Sequence, residues 1–282
     1  MILSLLLSVV LAAAPPEEAI QKARSSFDSG NYTEAVKTLT AALVQSPEEA
    51  SAHYWLARSY YEMRNYDKAV DHAELAVKFA PKSAEYTQWL GRAYGGKAEQ
   101  GHSFFLARKV KRTFEDAVRL NPFNVEARRD LMQYLVEAPW IVGGDKKEAR
   151  KQIDAIAAID PLQGRLARAA YFETNKEWKE ADAEYLAILA MNPTRVEPYM
   201  EAANYFADRK DARSLERALE GAAHLNSSDP RQNYYRAALF ILRETGLSTA
   251  EQLLKAYIAN VPERSDYPSH KSATEWLNRV RR

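Results

Sequence analysis

The chain contains no cysteine. That excludes disulfides, thiolate zinc sites, iron–sulfur clusters, acylated lipoprotein anchors and cysteine nucleophiles together. Glycine is scarce, at 10 of 282 residues, which argues against Gly-rich nucleotide folds. Net charge is nearly absent too: 39 Lys and Arg face 38 Asp and Glu. Without a basic excess the bulk electrostatic case for nucleic-acid binding disappears, and no nucleic-acid partner is expected. No apolar run reaches the roughly 20 residues needed to span a bilayer. With 46% hydrophobic residues, however, the chain is too apolar to be disordered.

The first residues stand apart. Ile2 to Leu11 is apolar apart from Ser4 and Ser8, and Ala12 to Ala14 supply small residues for cleavage. Residues 1–14 therefore read as a signal peptide with a weak amino-terminal region, since no Lys or Arg precedes the run. An exported protein, periplasmic or secreted, is expected, without a transmembrane segment after cleavage.

Proline sets a beat along the remainder. Pro47, Pro81, Pro122, Pro161, Pro193, Pro230 and Pro262 are separated by 34, 41, 39, 32, 37 and 32 residues. Between prolines the apolar spacing is helical, and polar turns such as Ser29-Gly30-Asn31, Arg64-Asn65 and Asn175-Lys176 split each unit into two helices. Small residues at Ala23, Ala57 and Gly91, answered by Ala35 and Ala69, allow the paired helices to approach closely. Tyr32, Tyr66 and Trp178 follow the turns as wedges. A single unit cannot bury its apolar face, but a stack of them can.

The run from Tyr54 through Tyr61, followed by Tyr66 to Val70 and then Ala76 and Pro81, resembles the tetratricopeptide repeat (TPR) family. The resemblance implies an all-α, right-handed superhelical solenoid of helix-turn-helix repeats. It divides the chain into seven repeats over 15–262 and a capping helix within 263–282. Ser269 or Ser272 would cap that helix, and Ser272 is the better candidate because Glu275 completes a capping box.

In the family the first helix of each repeat lines the concave face. That surface carries Arg24, Arg58 and Arg92, spaced by 34 residues, with Arg129 near the extension of the row and Tyr54 and Tyr61 beside it. A guanidinium ladder suits an acidic protein or peptide segment. Alternatively, each Arg pairs with a carboxylate of the next repeat and ties the stack together. Farther along, Leu166, Met200, Tyr235, Leu239 and Leu242 predict a more apolar inner face. Gly95-Gly96 predicts a kink or room for a partner's backbone.

Two apolar insertions lengthen neighbouring repeats, one at Gly101 to Phe105 and one at Ala138 to Gly144. They either pack on each other, with Trp140 against Phe104 or Phe105, or form a partner-binding edge anchored by Trp140. The basic run Arg108 to Arg112 opposes its helix dipole, but Lys111 with Glu115 and Arg112 with Asp116 are spaced to pair. His53, His72, His102, His224 and His270 show no metal-ligand spacing, and no nucleophile elbow or dinucleotide fingerprint occurs. No metal, cofactor or catalytic residue is expected. The sequence thus points to a non-catalytic adaptor or scaffold of the cell envelope that holds a protein segment in the groove. A subunit binding a glycan or cell-wall polymer is the alternative.

Overall fold

The computed structural model describes residues 16–280; the segment read as a signal peptide lies outside them. Among the described residues every element is helical. Seven antiparallel pairs follow one another: α1 (Pro16–Asp28) with α2 (Tyr32–Gln45), α3 (Ala50–Glu62) with α4 (Tyr66–Phe79), α5 (Ala84–Gly101) with α6 (Phe104–Leu120), α7 (Val125–Glu137) with α8 (Lys146–Ile159), α9 (Pro161–Thr174) with α10 (Trp178–Ala190), α11 (Glu197–Arg209) with α12 (Ala212–Leu225), and α13 (Arg231–Leu242) with α14 (Leu247–Asn260). A last helix, α15 (His270–Val280), packs on α13 and α14.

Local chemistry sets the boundaries. The Asn31 and Asn65 side chains accept from the Glu34 and Lys68 amides, and Ser83, Ser103, Asn124, Asp145, Asp160 and Asp211 cap later helices in the same way. Most first helices end in a Schellman-type turn with one left-handed residue: Gly30, Arg64, His102, Lys176, Lys210 and Glu244 all have positive φ. After each, the next amide reaches back five residues, as in Asn65 N–H to the Tyr60 carbonyl at 2.8 Å and Asp211 N–H to Phe206 at 2.9 Å.

The small residues are buried where helices meet: Ala23, Ala57, Ala35, Ala69, Ala76 and Ala117 lose nearly all their accessible surface. Gly91 faces the Phe114 ring so closely that a Cβ would overlap it. The core runs continuously from Ile20 in α1 to Leu277 in α15, as three successive apolar clusters.

Several details depart from the sequence reading. The third repeat's insertion forms no protruding loop; it lengthens α5 to 18 residues and α6 to 17. Of the two insertions, the one in the fourth repeat forms a loop, with a 3-10 turn at Trp140–Val142. The cap of α15 is Ser269, whose Oγ accepts from the Ser272 amide at 3.1 Å. Ser272 lies inside the first turn, so it cannot act as the cap. Leu166, Met200 and Tyr235 are buried core rather than groove lining, because they pack into one apolar cluster, with Leu239 and Leu242 half-buried against it.

The curl of the solenoid brings its ends together. The irregular segment 261–269 crosses to the first two repeats. There the Tyr32 hydroxyl donates to the Glu263 carbonyl at 3.2 Å, and Arg264 Nη1 donates to the Asp28 carbonyl at 3.2 Å. The Ser265 amide and hydroxyl donate to the Glu62 carboxylate at 3.0 and 2.8 Å. Pro262 sits against Gly30, where left-handed backbone and lack of room both require glycine.

Candidate functional site

The first helices of successive pairs touch one another, α1 with α3, α3 with α5, α5 with α7, α7 with α9 and α11 with α13, and so form the inner wall. All four arginines of the predicted row sit on these helices, but their surroundings divide them.

Arg92 and Arg129 are neutralised. Arg92 grips Asp130 with two hydrogen bonds, Nε at 2.6 Å and Nη2 at 3.1 Å, and reaches Glu126 at 3.3 Å. Gln88 donates to the same Asp130 oxygen at 2.8 Å. Arg129 holds Glu201 through both Nη1 and Nη2, at 3.3 and 3.0 Å. That bond reaches from α7 past the intervening α9, whose Gln163 also accepts from Arg129 at 3.5 Å, to α11. These two side chains tie the stack together.

Arg58 is different. Its guanidinium carbon lies 4.4 Å from the Trp55 ring centre, 4.6 Å from Trp89, 4.8 Å from Phe27 and 5.5 Å from Tyr54. Such a cage favours a cation electrostatically, but it supplies no anion. Nη1 donates to the Tyr54 hydroxyl at 3.1 Å, and the buried Nε has no hydrogen-bond partner. No carboxylate among the described residues pairs with Arg58. Glu85 comes nearest in the network, but it accepts from the Tyr54 hydroxyl at 2.6 Å instead. Arg24 is exposed, has no carboxylate partner among the described residues, and stands 5.8 Å from the Trp55 ring.

Tyr54 is not an open anchor. It is 4% exposed, stacked on Tyr86 at 4.7 Å, and burial holds its hydroxyl well above the usual phenol range. Tyr61 remains half-buried, edge-on to Tyr66 and Trp89, and borders two cavities. One, of about 600 Å³, opens between α5, α6, α7 and the Trp140 loop, and is walled by Gly95, Phe104, Val110, Tyr134, Pro139 and Val142 among others. The second, of about 530 Å³, lies between Tyr61, Tyr66 and the returning segment at Glu263 to Ser269.

Gly95 and Gly96 do not interrupt α5. A Cβ at Gly95 would meet open space, whereas one at Gly96 would lie 2.5 Å from the Tyr66 ring. The two insertions do not pack ring on ring: Trp140 is 85% exposed, Phe104 68% and Phe105 71%. They are joined instead by Arg108, which donates to the Ile141 carbonyl at 3.2 Å, and by the Tyr134 hydroxyl, whose single proton is shared between the Ala107 and Val142 carbonyls at 2.6 and 2.9 Å. Arg112 does not pair with Asp116, which turns to Arg119, while Lys111 does reach Glu115 at 3.7 Å.

His53 and His72 meet, Nδ1 to Nδ1 at 3.0 Å, and His53 Nε2 faces the Pro47 carbonyl at 3.0 Å. Burial, reinforced by His53, lowers the His72 pKa from 6.5 to about 4. Among the described residues no three His, Asp or Glu side chains are placed to hold a metal.

Sequence reasoning missed Glu201 as the partner of Arg129 and Ser265 as the partner of Glu62, since each contact spans two repeats or more. A signal for the Arg58 cage was present, because Phe27 and Trp89 each lie 31 residues from Arg58.

Residues 20–84 match the tetratricopeptide repeat family. Over that stretch the chain carries tetratricopeptide repeats. Among solved structures, a TPR protein from Parabacteroides merdae is similar over 95% of this chain and 99% of its own, with a TM-score of 0.59 at 14% identity. A thermophilic TPR protein of Thermus thermophilus aligns over 73% and 98%, TM-score 0.54, 18% identity. The pilF protein of Pseudomonas aeruginosa aligns over 79% and 96%, TM-score 0.51, 15% identity. At these identities the likeness speaks for the fold. No curated protein matches the chain. TPR solenoids present extended concave surfaces to partners, so the fold is that of a protein–protein interaction adaptor.

Proposed function

We propose that this TPR protein is a non-catalytic adaptor of the cell envelope that holds an acidic protein segment along the inner face of its first three repeats. The signal-like residues 1–14 support the compartment. The observation that carries the binding reading is the unequal charge balance of the arginine row: Arg92 and Arg129 have internal carboxylates, while Arg58 and Arg24 have none among the described residues. An aromatic cage holds the Arg58 guanidinium in place before any partner arrives, so little side-chain entropy is lost when a carboxylate joins it. Tyr61 and Trp89 beside it offer apolar surface for the segment's neighbouring side chains.

The test is binding of a short, extended acidic peptide and of its amide counterpart with Asn and Gln in place of Asp and Glu. Wild-type protein is expected to prefer the acidic peptide. Arg58→Met, which keeps the side-chain length among the rings, is expected to lose that preference by about tenfold, the value of one charge-assisted hydrogen bond. Equal binding of both peptides by wild type, or an unaltered preference in Arg58→Met, contradicts the reading.

A further inference from the structure

The four side chains at the tips of repeats three and four form a surface that the adaptor reading does not use. Phe104 and Phe105 open α6, and Trp140 and Ile141 occupy the loop before α8; all four are exposed. Arg108 holds the two tips side by side through the Ile141 carbonyl. Cations surround this apolar edge. Arg108 and Arg112 continue the helical stripe that begins at Phe104, Lys109 lies 5.7 Å from the Phe105 ring centre, and the Lys111 stem rests on Gly143. Lys146 and Lys147 follow on the exposed start of α8.

The acids nearby do not pair with these cations, and exposed Glu99 borders the cavity beside Phe104. Asp145 caps α8 by accepting from the Lys147 and Glu148 amides, Glu115 pairs with Lys111, and Glu137 accepts from Gln133. Arg108, Lys109, Arg112, Lys146 and Lys147 therefore have no carboxylate partner among the described residues, and all carry cations near the same edge. Lys146 and Lys147 occupy the first turn of α8, where cations oppose the helix dipole, so they are held there at a cost in helix stability.

Protruding aromatic and aliphatic tips, flanked by unpaired Lys and Arg, match the chemistry of an anionic bilayer surface. Trp and Phe enter the headgroup boundary, and long basic chains reach the lipid phosphates. We propose that this edge docks the solenoid peripherally on a membrane rich in anionic lipid, with Trp140, Ile141, Phe104 and Phe105 inserted and the basic residues on the headgroups. No helix among the described residues is long and apolar enough to cross the bilayer, so the contact is interfacial.

Co-sedimentation with vesicles tests it, using phosphatidylcholine alone and phosphatidylcholine mixed with phosphatidylglycerol. Wild-type protein is expected to sediment with the mixed vesicles only, and less so as salt rises. Trp140→Ser should lower the partition coefficient by about tenfold or more. Since each cation at such a surface is worth about fivefold, Arg112→Gln with Lys147→Gln should lose roughly 25-fold. Both variants should melt with wild type, because the altered side chains are exposed. Protein that remains in the supernatant with mixed vesicles overturns the proposal, as does equal binding to neutral vesicles. An unchanged Trp140→Ser partition overturns it too. A Trp140-dependent self-association without vesicle binding would overturn it in favour of a second copy of the chain.

Discussion

Gly95 and Gly96 are neighbours in one uninterrupted helix, but alanine at the two positions should act in opposite directions. Either substitution removes the conformational penalty of a mid-helix glycine, a gain of about 1 kcal/mol. At Gly95 nothing opposes the gain, because the new methyl enters the open cavity beside α7. At Gly96 the methyl would lie 2.5 Å from Cδ1 and Cε1 of Tyr66. Tyr66 is itself wedged edge-on against Tyr61 at 5.4 Å, which limits its retreat. Overpacking of this kind costs about 1–3 kcal/mol, so Gly96→Ala should be less stable than Gly95→Ala by that amount. At roughly 2–4 °C per kcal/mol for a chain of this size, Gly95→Ala should melt a few degrees above wild type, and Gly96→Ala roughly 2–12 °C below Gly95→Ala. Thermal melting followed by far-UV circular dichroism reads both. Equal upward shifts would refute the packing of Tyr66 on α5. A fall in Gly95→Ala would refute the open space beside it.

Four further outcomes follow from the same geometry. Arg92→Ala leaves Asp130 partly buried with only Gln88, and should cost about 1.5–3 kcal/mol in chemical denaturation. Trp140→Ala should change stability by less than about 0.5 kcal/mol; a large loss would mean that the ring packs on the neighbouring insertion after all. His72 binds its proton less readily in the folded chain than in the unfolded one, so stability should rise with pH between about 4 and 6.5. Allowing for solvent screening at this partly exposed site, the change should be on the order of 1–2 kcal/mol, and His72→Phe should flatten it. Glu62→Ala should speed hydrogen exchange at the Ser265 amide, which otherwise donates to that carboxylate; unchanged exchange would show that the returning segment is held from elsewhere.

What was legible in the sequence is what repeats locally. Alanines at Ala35, Ala69 and Ala76 and prolines at a near-constant interval announce helices that must pack closely and then stop, and the folded chain uses them so. The arginine row was legible as a row, because residues 34 apart fall at equivalent places in successive units. Its chemistry was not, because Asp130 and Glu201 reach it from one and two repeats away, and no local pattern encodes that curvature. The same holds for 261–269: its contacts with Asp28, Tyr32 and Glu62 exist only because the solenoid curls far enough for its ends to meet. Left-handed turns were visible at Gly30 but hidden at Arg64, Lys176 and Glu244, where ordinary residues accept a strained backbone. At the apolar tips, composition suggested packing, yet the helices grow longer and leave Phe104 and Phe105 outside.

The central claim is that Arg58 is the guanidinium kept available for a partner's carboxylate while Arg92 is spent within the fold. Side-chain NMR of arginine Nε–H groups during titration with the acidic peptide addresses both at once. The Arg58 signal should move on binding while the Arg92 signal, fixed by Asp130, stays in place. A shift at Arg92 with Arg58 unmoved, or no shift at either under saturating peptide, would contradict it.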